Sequence, residues 1–500
     1  MLGAPMKEMA TGHRLAIEDL EGIAILRGLL KSATYTESEV RRACAVGTTG
    51  VIPRAEQSLI VRKLPQEGLL PVLIRLFMLG VAVDRDIVAR DLKPLTPERL
   101  KSLGLVRAGP GGLVPLVKFT PFDNLVLAGD PHHDDPLEVP ADYVIGVNQT
   151  SAHLVGLTIR RPVKAALDLG TGCGIAGLYA ARYAERVVAT DINPRALNFT
   201  AFNALLNEIR NVEVRQGSLF EPVAGETFDL VMSNPPYVIS PDSDYQFRDS
   251  GLGGDSLCRS LVRDLPRHLR EGGYASILSN WALRPGQHWS DPVREWIRDS
   301  GCDALMLFTE TSTPLIYAGN WNRPLLPKRL REYEEAVDRW VAFFKRSGIE
   351  GVAMGGLVVR RRGAGPNWVA AEEIPIAGDI GTSEQILRIF EACDWLAEEP
   401  EFLAAKFRPV DDMRFDQTVS FRDGEMSIRE VRFSMARGFK MEGQLDPRTM
   451  LVIGHCDGKR SLGEILDRIG PPGGEEVKEV RNHIAGVIRK LFALGFLVRT

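Results

Sequence analysis

Five hundred residues exceed one ordinary domain, so two to four are expected. A hydrophobic share of 44% beside 25% charged residues is that of a globular chain, and no apolar run reaches membrane-spanning length. With 61 Lys and Arg against 65 Asp and Glu, the net charge of −4 gives no footprint for tight nucleic-acid binding, although a local basic face stays open.

Residues 1–125 read as a mostly helical domain. Met1–Arg14 lacks an apolar signal core, which reads as a cytoplasmic chain. Glu18–Ser32 carries apolar residues at helical spacing. Thr36 stands as an N-cap with Glu39 three residues on, and Leu69–Leu79 is a strongly apolar helix. Thr96-Pro97-Glu98 opens a short helix with proline in its first position. Leu103–Arg107 ends that helix and starts a strand, and Gly109–Gly112 turns into a second strand over Leu113–Phe119. Helices followed by a two-stranded wing suggest a winged-helix module; a plain helical cap is an equal reading. His132-His133-Asp134-Asp135 reads as a polar loop, because adjacent side chains point apart and cannot converge on one ion. The six cysteines, Cys44, Cys173, Cys258, Cys302, Cys393 and Cys456, are scattered without paired spacing. They read as reduced thiols, with no metal site.

Residues 126–362 carry the chemistry. An apolar strand stops at Asp168-Leu169-Gly170-Thr171-Gly172-Cys173-Gly174, and the helix pattern Ile175–Arg182 follows. Glycines there allow a tight turn and a close backbone approach to a ligand. A second apolar strand, Val187–Thr190, ends at Asp191, where an α/β sheet holds a ribose by its hydroxyls. Gly172, Gly174 and Gly177 also fit the dinucleotide pattern Gly-x-Gly-x-x-Gly. The strand Phe228–Ser233 decides between the two, because it runs into Asn234-Pro235-Pro236-Tyr237, for which nicotinamide enzymes have no use. Then come a helix Ser256–Leu269, a strand Tyr274–Ser279, a helix Val293–Ser300 and a strand Ala304–Phe308, an alternation that calls for a parallel sheet. The last strand, Gly351–Arg361, is delayed by an insertion at 309–350. That insertion holds an aromatic helix, Glu332–Phe344, with Trp340, Phe343 and Phe344. It reads as a substrate-recognition element or as the insertion's own core.

Residues 363–424 read as a connector with a helix at Ser383–Leu396. Residues 425–500 read as a small domain: an apolar helix or turn at Met450–Cys456, a capping box from Ser461 to Glu464, and an amphipathic helix Glu476–Ala493. Its ending Leu494–Arg499 echoes Leu103–Arg107, which suggests winged-helix-like modules on both flanks. The pattern also resembles small winged modules that bind precursor peptides.

The glycine turn, the acid and Asn-Pro-Pro-Tyr, in this order and spacing, resemble the class I S-adenosylmethionine-dependent methyltransferases over about Ala141–Arg362. Within them the chain is similar to the branch that methylates planar nitrogens: amino groups of RNA and DNA bases, and the glutamine amide of release factors. The resemblance implies an α/β fold, a Rossmann-like seven-stranded sheet between mostly helical accessory domains. It implies S-adenosyl-L-methionine as cofactor and S-adenosyl-L-homocysteine as product. Gly170, Gly172 and Gly174 would approach the methionine portion, Asp168 its amino group, Asp191 both ribose hydroxyls, and Ile192 the adenine. Ser218 stands where the family often has an acid, which leaves the adenine contact to Leu219. In glutamine methyltransferases a threonine-bearing segment closes over the cofactor; Asn148 and Thr150 are candidates for that role, or cap a helix.

A planar nitrogen is a poor nucleophile, so the chemistry needs positioning rather than a strong base. The resemblance implies that the Asn234 side-chain oxygen accepts one N–H and the Pro235 carbonyl the other. Pro235 and Pro236 stiffen the loop, and Tyr237 stacks on the flat group. After them, Asp249–Leu257 is similar to the Gly-Gly-x-x-Gly-Leu segment of release-factor glutamine methyltransferases, with Ser256 in place of a glycine.

Two accessory modules and an insertion exceed what a metabolite requires, so the expected partner is a macromolecule, with no membrane. The reading leans to a nucleic-acid base. Two alternatives stay open: a protein or peptide glutamine or asparagine amide, and a cofactor-binding protein without turnover. Oligomeric state is not legible.

Overall fold

The first helices are α1 (Leu20–Ser32), α2 (Glu37–Cys44), α3 (Arg54–Lys63), α4 (Leu69–Leu73), α5 (Arg85–Asp91) and α6 (Pro97–Ser102), and side-chain caps open α1, α2, α5 and α6. The Thr36 hydroxyl accepts from Glu39 N and that of Thr96 from Arg99 N, as the spacing predicts. The computed structural model describes residues 12–46, 54–133, 139–242, 248, 254–363, 365–374, 381–398, 401–422, 425–469 and 475–500. The single helix expected over Leu69–Leu79 changes form: α4 passes into a π-helical turn at Ile74–Met78. There Arg75 is buried and donates to the carbonyls of Val61, Leu64 and Pro65, which the end of α3 leaves open.

The strand expected over Leu113–Phe119 is two strands of separate hairpins. Strand β1 (Val106–Gly109) pairs with β2 (Gly112–Pro115), and β3 (Lys118–Phe122) with β4 (Leu125–Gly129). The wing expected after the helices is therefore present, and a second hairpin follows it. The boundary expected at residue 125 falls on the first residue of β4. The core explains this, because it runs without a break from the first helices to Ile175, Leu178, Phe199 and Phe202 of the next domain.

The catalytic region begins with α7 (Gln149–Leu157) and continues β5 (Val163–Leu169), α8 (Ile175–Ala180), β6 (Ala184–Asp191), α9 (Pro194–Leu206), β7 (Val212–Gln216) and β8 (Phe228–Ser233). Next come α10 (Ser256–Asp264), β9 (Leu269–Leu283), α11 (Asp291–Ile297) and β10 (Cys302–Ser312). The insertion forms α12 (Pro314–Asn322) and α13 (Leu330–Arg346), and β11 (Gly351–Arg361), β12 (Val369–Glu372) and α14 (Thr382–Ala397) close the region. One sheet has the order β12-β10-β11-β9-β8-β5-β6-β7. Strands β5 to β9 pair in parallel, and β11 lies antiparallel between β9 and β10. These are the seven strands that were expected, in an α/β fold covered by helices, with β12 as an eighth at the edge. Two side-chain amides, one in α9 and one on the residue that caps its C-terminus, serve as partners for β4. Asn203 bonds both backbone groups of Ala128, and Asn207 both of Val126.

The connector expected at 363–424 contributes structure to both neighbours. Its β12 extends the sheet; β13 (Phe407–Pro409) pairs with β17 (Leu497–Arg499) at the chain end. Strand β14 (Met413–Arg422) forms an antiparallel sheet with β15 (Glu425–Met435) and β16 (Glu442–Leu445), so the boundary at 424 cuts a hairpin. The helices α15 (Pro447–His455), α16 (Leu462–Ile469) and α17 (Glu475–Ala493) follow. The predicted capping box holds, with Ser461 N donating to Glu464 and Glu464 N to Ser461. The sequence echo is a shared helix stop. Gly104 and Gly495 both take positive φ, and Leu105 N and Phe496 N reach back to Leu100 O and Leu491 O.

Candidate active site

Strands β5, β6 and β8 end side by side, and the chain order reverses between β5 and β8. A crevice at such a switch point is where an open α/β sheet takes its ligand. Here it is a cleft of about 440 Å³. Of the residues expected in the site, Asn148, Asp168, Gly170, Gly172, Asp191, Ile192, Ser218, Leu219, Asn234, Pro235 and Pro236 line it. Gly174, Thr150 and Tyr237 stand behind that wall. Gly174 starts α8 at φ 89°, and a Cβ there would meet Thr200 at 3.0 Å.

The segment Tyr143–Gly146 closes one side of the cleft. A buried ion pair holds it. Arg195 donates to both oxygens of Asp130, at 2.9 and 2.6 Å, and Asp130 also accepts from Val144 N. Gly129 and Gly146 cross so closely that a Cβ on Gly129 would lie 2.4 Å from the Gly146 Cα.

On the β5–β6 side the turn is shaped for a ligand. Gly170 and Gly172 have φ of 74° and 58°, and a Cβ on either would point into open space. Asp191 takes Gly172 N on one oxygen and Asn193 N on the other, at 3.0 and 2.9 Å. A carboxylate has about four acceptor positions, so Asp191 keeps acceptor capacity for a further donor. Burial raises the pKa of Asp191. Asp168, 2% exposed, accepts from the Thr171 hydroxyl and from Gly177 N with one oxygen. Burial, aided by the charge of Asp191, pushes its pKa up to about 6. Gly177 must be glycine for this contact, since a Cβ would stand 2.9 Å from the carboxylate. Ile192 is 58% exposed on the cleft wall, an apolar face with nothing on it.

On the β8 side, the Ser233 hydroxyl donates to Leu169 O at 2.9 Å and sets the following loop beside the glycine turn. Asn234 Oδ1 is buried without a hydrogen-bond partner. Such an acceptor costs about 1–3 kcal/mol. Asn234 Nδ2 donates to Thr150 Oγ1 at 3.5 Å, and the Thr150 hydroxyl donates to Asn148 Oδ1 at 2.8 Å. Asn148 is also the N-cap of α7, in a reciprocal capping box with Ser151, so its capping role coexists with a place on the wall. Tyr237 does not offer its ring to the cleft as expected. It is half buried among three apolar clusters with its hydroxyl against Thr150, and burial raises its pKa.

The insertion braces the loop after Tyr237. The Tyr317 hydroxyl accepts from Ile239 N and from Asn280, while Asp242 accepts from Arg339 and from Trp340 Nε1 at 2.7 Å. Trp340 and Phe344 are fully buried, so these aromatics form the insertion's own core and offer no face to a substrate. The glycines at 249–253 lie outside the described residues, as do Asp134 and Asp135; among the described residues no cluster suits a metal ion. Sequence reasoning missed Thr190, whose buried hydroxyl lines the cleft without a partner. Its signal was a hydroxyl closing an apolar strand directly before Asp191.

Residues 146–289 match the family model described as Methyltransferase small domain, and residues 32–116 match a domain of unknown function (DUF7059). The chain is 38% identical to a release factor glutamine methyltransferase of Xylella fastidiosa, over 23% of this chain and 46% of that one. A release factor glutamine methyltransferase of Geobacter sulfurreducens is 30% identical, over 45% of this chain and 78% of its own length. The chain belongs to the class I S-adenosylmethionine-dependent methyltransferases. It falls in their amino- and amide-nitrogen branch, and a ribosomal protein uL3 glutamine methyltransferase of Xanthomonas campestris is 34% identical over 23% of this chain and 41% of that one. The chain spans about half the length of the first curated relatives it matches.

The cleft of this methyltransferase fits the family's cofactor. The open space over Gly170 and Gly172 admits a close chain, Asp191 would accept from the ribose hydroxyls, and the exposed apolar face of Ile192 would suit the adenine. Among the described residues no helix is long and apolar enough to cross a membrane.

Proposed function

We propose that this protein transfers the methyl group of S-adenosylmethionine to the side-chain amide nitrogen of a glutamine in a protein. The cofactor supplies a methyl activated by its sulfonium. Asn234 Oδ1 accepts one amide N–H, the Pro235 carbonyl accepts the other, and the nitrogen lone pair is thereby turned toward the donor. Pro235 and Pro236 limit the loop's freedom, so the acceptors need little reorganisation during transfer. The carrying observation is the unpartnered, buried Asn234 oxygen on the wall of the cofactor cleft, an acceptor that waits for a donor.

A nucleic-acid base, toward which the sequence reading leaned, finds no support among the relatives. Their names are those of enzymes acting on release factors and on ribosomal protein uL3, and the net charge of −4 agrees with a protein acceptor. The test offers labelled S-adenosylmethionine with three acceptors: the release factors, ribosomal protein uL3 and total RNA of the source organism. The expected result is label in a protein, resistant to nuclease, with mass spectrometry locating one added methyl on a glutamine side chain. Label confined to RNA would overturn the reading.

A further inference from the structure

We infer that Thr150 is a positioning residue that sets which end of the Asn234 amide faces the cleft. The inference rests on the amide-methylation reading and adds to it the device that orients the acceptor.

The argument is one of donors and acceptors. The single proton of the Thr150 hydroxyl goes to Asn148 Oδ1 at 2.8 Å. That oxygen is itself anchored, because it also accepts from Ser151 N at 2.8 Å in the capping box of α7. With its proton committed, Thr150 Oγ1 can only accept, and Asn234 Nδ2 is the donor it receives, at 3.5 Å. The Asn234 oxygen is left pointing away from Thr150, buried and unpartnered. Turning the amide over would set the Asn234 oxygen against an oxygen with no proton to give. It would also present Nδ2, a donor, to the N–H of the substrate. The first mismatch, which traces to one threonine at the start of a helix, disfavours the wrong orientation, and the second makes that orientation unproductive. The Tyr237 hydroxyl against the same Thr150 adds a second contact from the Asn-Pro-Pro-Tyr loop. Thr150 thus acts through Asn234 and does not itself line the cleft.

The test uses the full chain with four variants: Thr150→Val, Thr150→Ser, Asn234→Ala and the double variant Thr150→Val with Asn234→Ala. Thr150→Val keeps the shape and removes the hydroxyl. It should lower kcat about tenfold, the equivalent of one hydrogen bond, with S-adenosylhomocysteine affinity by calorimetry within about twofold of the parent. Thr150→Ser should restore kcat. On the Asn234→Ala background, Thr150→Val should change nothing further, because the group it orients is gone. A readout independent of turnover is the Asn234 side-chain amide signal in a ¹H–¹⁵N spectrum of asparagine-labelled protein, assigned by its loss in Asn234→Ala. It should move in Thr150→Val and return in Thr150→Ser. Losses that multiply in the double variant, weakened S-adenosylhomocysteine binding, or an unmoved amide signal would each overturn the inference. If the parent methylates no protein, the proposed function falls, while the amide signal and the calorimetry still decide the role of Thr150.

Discussion

The two sides of the cleft treat their polar groups differently. On the β5–β6 side, both carboxylates are already engaged: Asp168 holds Thr171 and Gly177, and Asp191 holds Gly172 and Asn193. On the β8 side, Asn234 keeps a buried oxygen with no partner, and its amide nitrogen is tied back to Thr150. On the first side both carboxylates are held by internal hydrogen bonds, although the Thr190 hydroxyl also lines the cleft without a partner. The second is left incomplete in one place, so a donor that completes it gains the full value of a desolvated bond. In the proposed function, cofactor binding falls to the first side and substrate orientation to the second.

The sharpest break of that division is Asn234→Ala. It should reduce methyl transfer about a thousandfold, the scale of removing one preorganised hydrogen-bonding group at a reacting centre. Cofactor affinity should hardly move, so radiolabel transfer and calorimetry on the same preparation separate the effects. A large loss of affinity would erase the distinction between the sides. Asp191→Ala should act in the opposite sense. Losing hydrogen bonds to a charged acceptor costs about 2–3 kcal/mol, so S-adenosylhomocysteine should bind roughly 30- to 150-fold more weakly. At saturating cofactor the turnover should recover most of its value; a kcat that stays low would assign Asp191 to the chemistry.

Acidity sharpens the same comparison. In the folded protein Asp168 holds its proton up to about pH 6, whereas 3.8 is its unperturbed value. The folded state thus binds this proton more tightly than the unfolded chain. Its contribution to stability is present at low pH and declines between about pH 4 and 6. A cofactor ammonium near this carboxylate, as the resemblance implies, prefers the ionised form. Affinity should therefore rise as pH passes from about 5 to 7 and then level off, while Asp168→Asn should flatten the rise. A parent profile as flat as the variant's would remove Asp168 from the cofactor's amino group.

The smallest effect is expected at the brace of the loop. Asp242→Ala leaves Trp340 Nε1 without its 2.7 Å acceptor and frees Arg339. A loss of about 1–2 kcal/mol in chemical denaturation should follow, with calorimetric cofactor affinity unchanged. An equal fall in cofactor affinity would mean that the brace supports both sides of the cleft.

Much of the site was legible because it follows local rules. Glycine at 170, 172 and 174 announces positive φ, and the acid after an apolar strand and the Asn-Pro-Pro loop announce two walls that the fold brings to one cleft. Cap residues such as Thr36, Thr96 and Ser461 were readable because the partner lies three residues away. The domain boundaries at 125 and 424 were not readable, since a hairpin partner or a docked helix decides them. Only the fold shows that the amides of Asn203 and Asn207 fasten β4 to α9.

The sequence by itself determined the family, the glycine turn, the acid that ends the next strand and the stiff Asn-Pro-Pro loop, because each depends on residues close together in the chain. Tertiary structure alone decided which way those residues face. Thr150 and Asn234 stand 84 residues apart, yet a hydrogen bond between them leaves one oxygen bare. Tyr237 and Trp340, which look like substrate contacts by type, are drawn into apolar clusters instead. Burial and partnering depend on the whole packed chain, and no local pattern carries them.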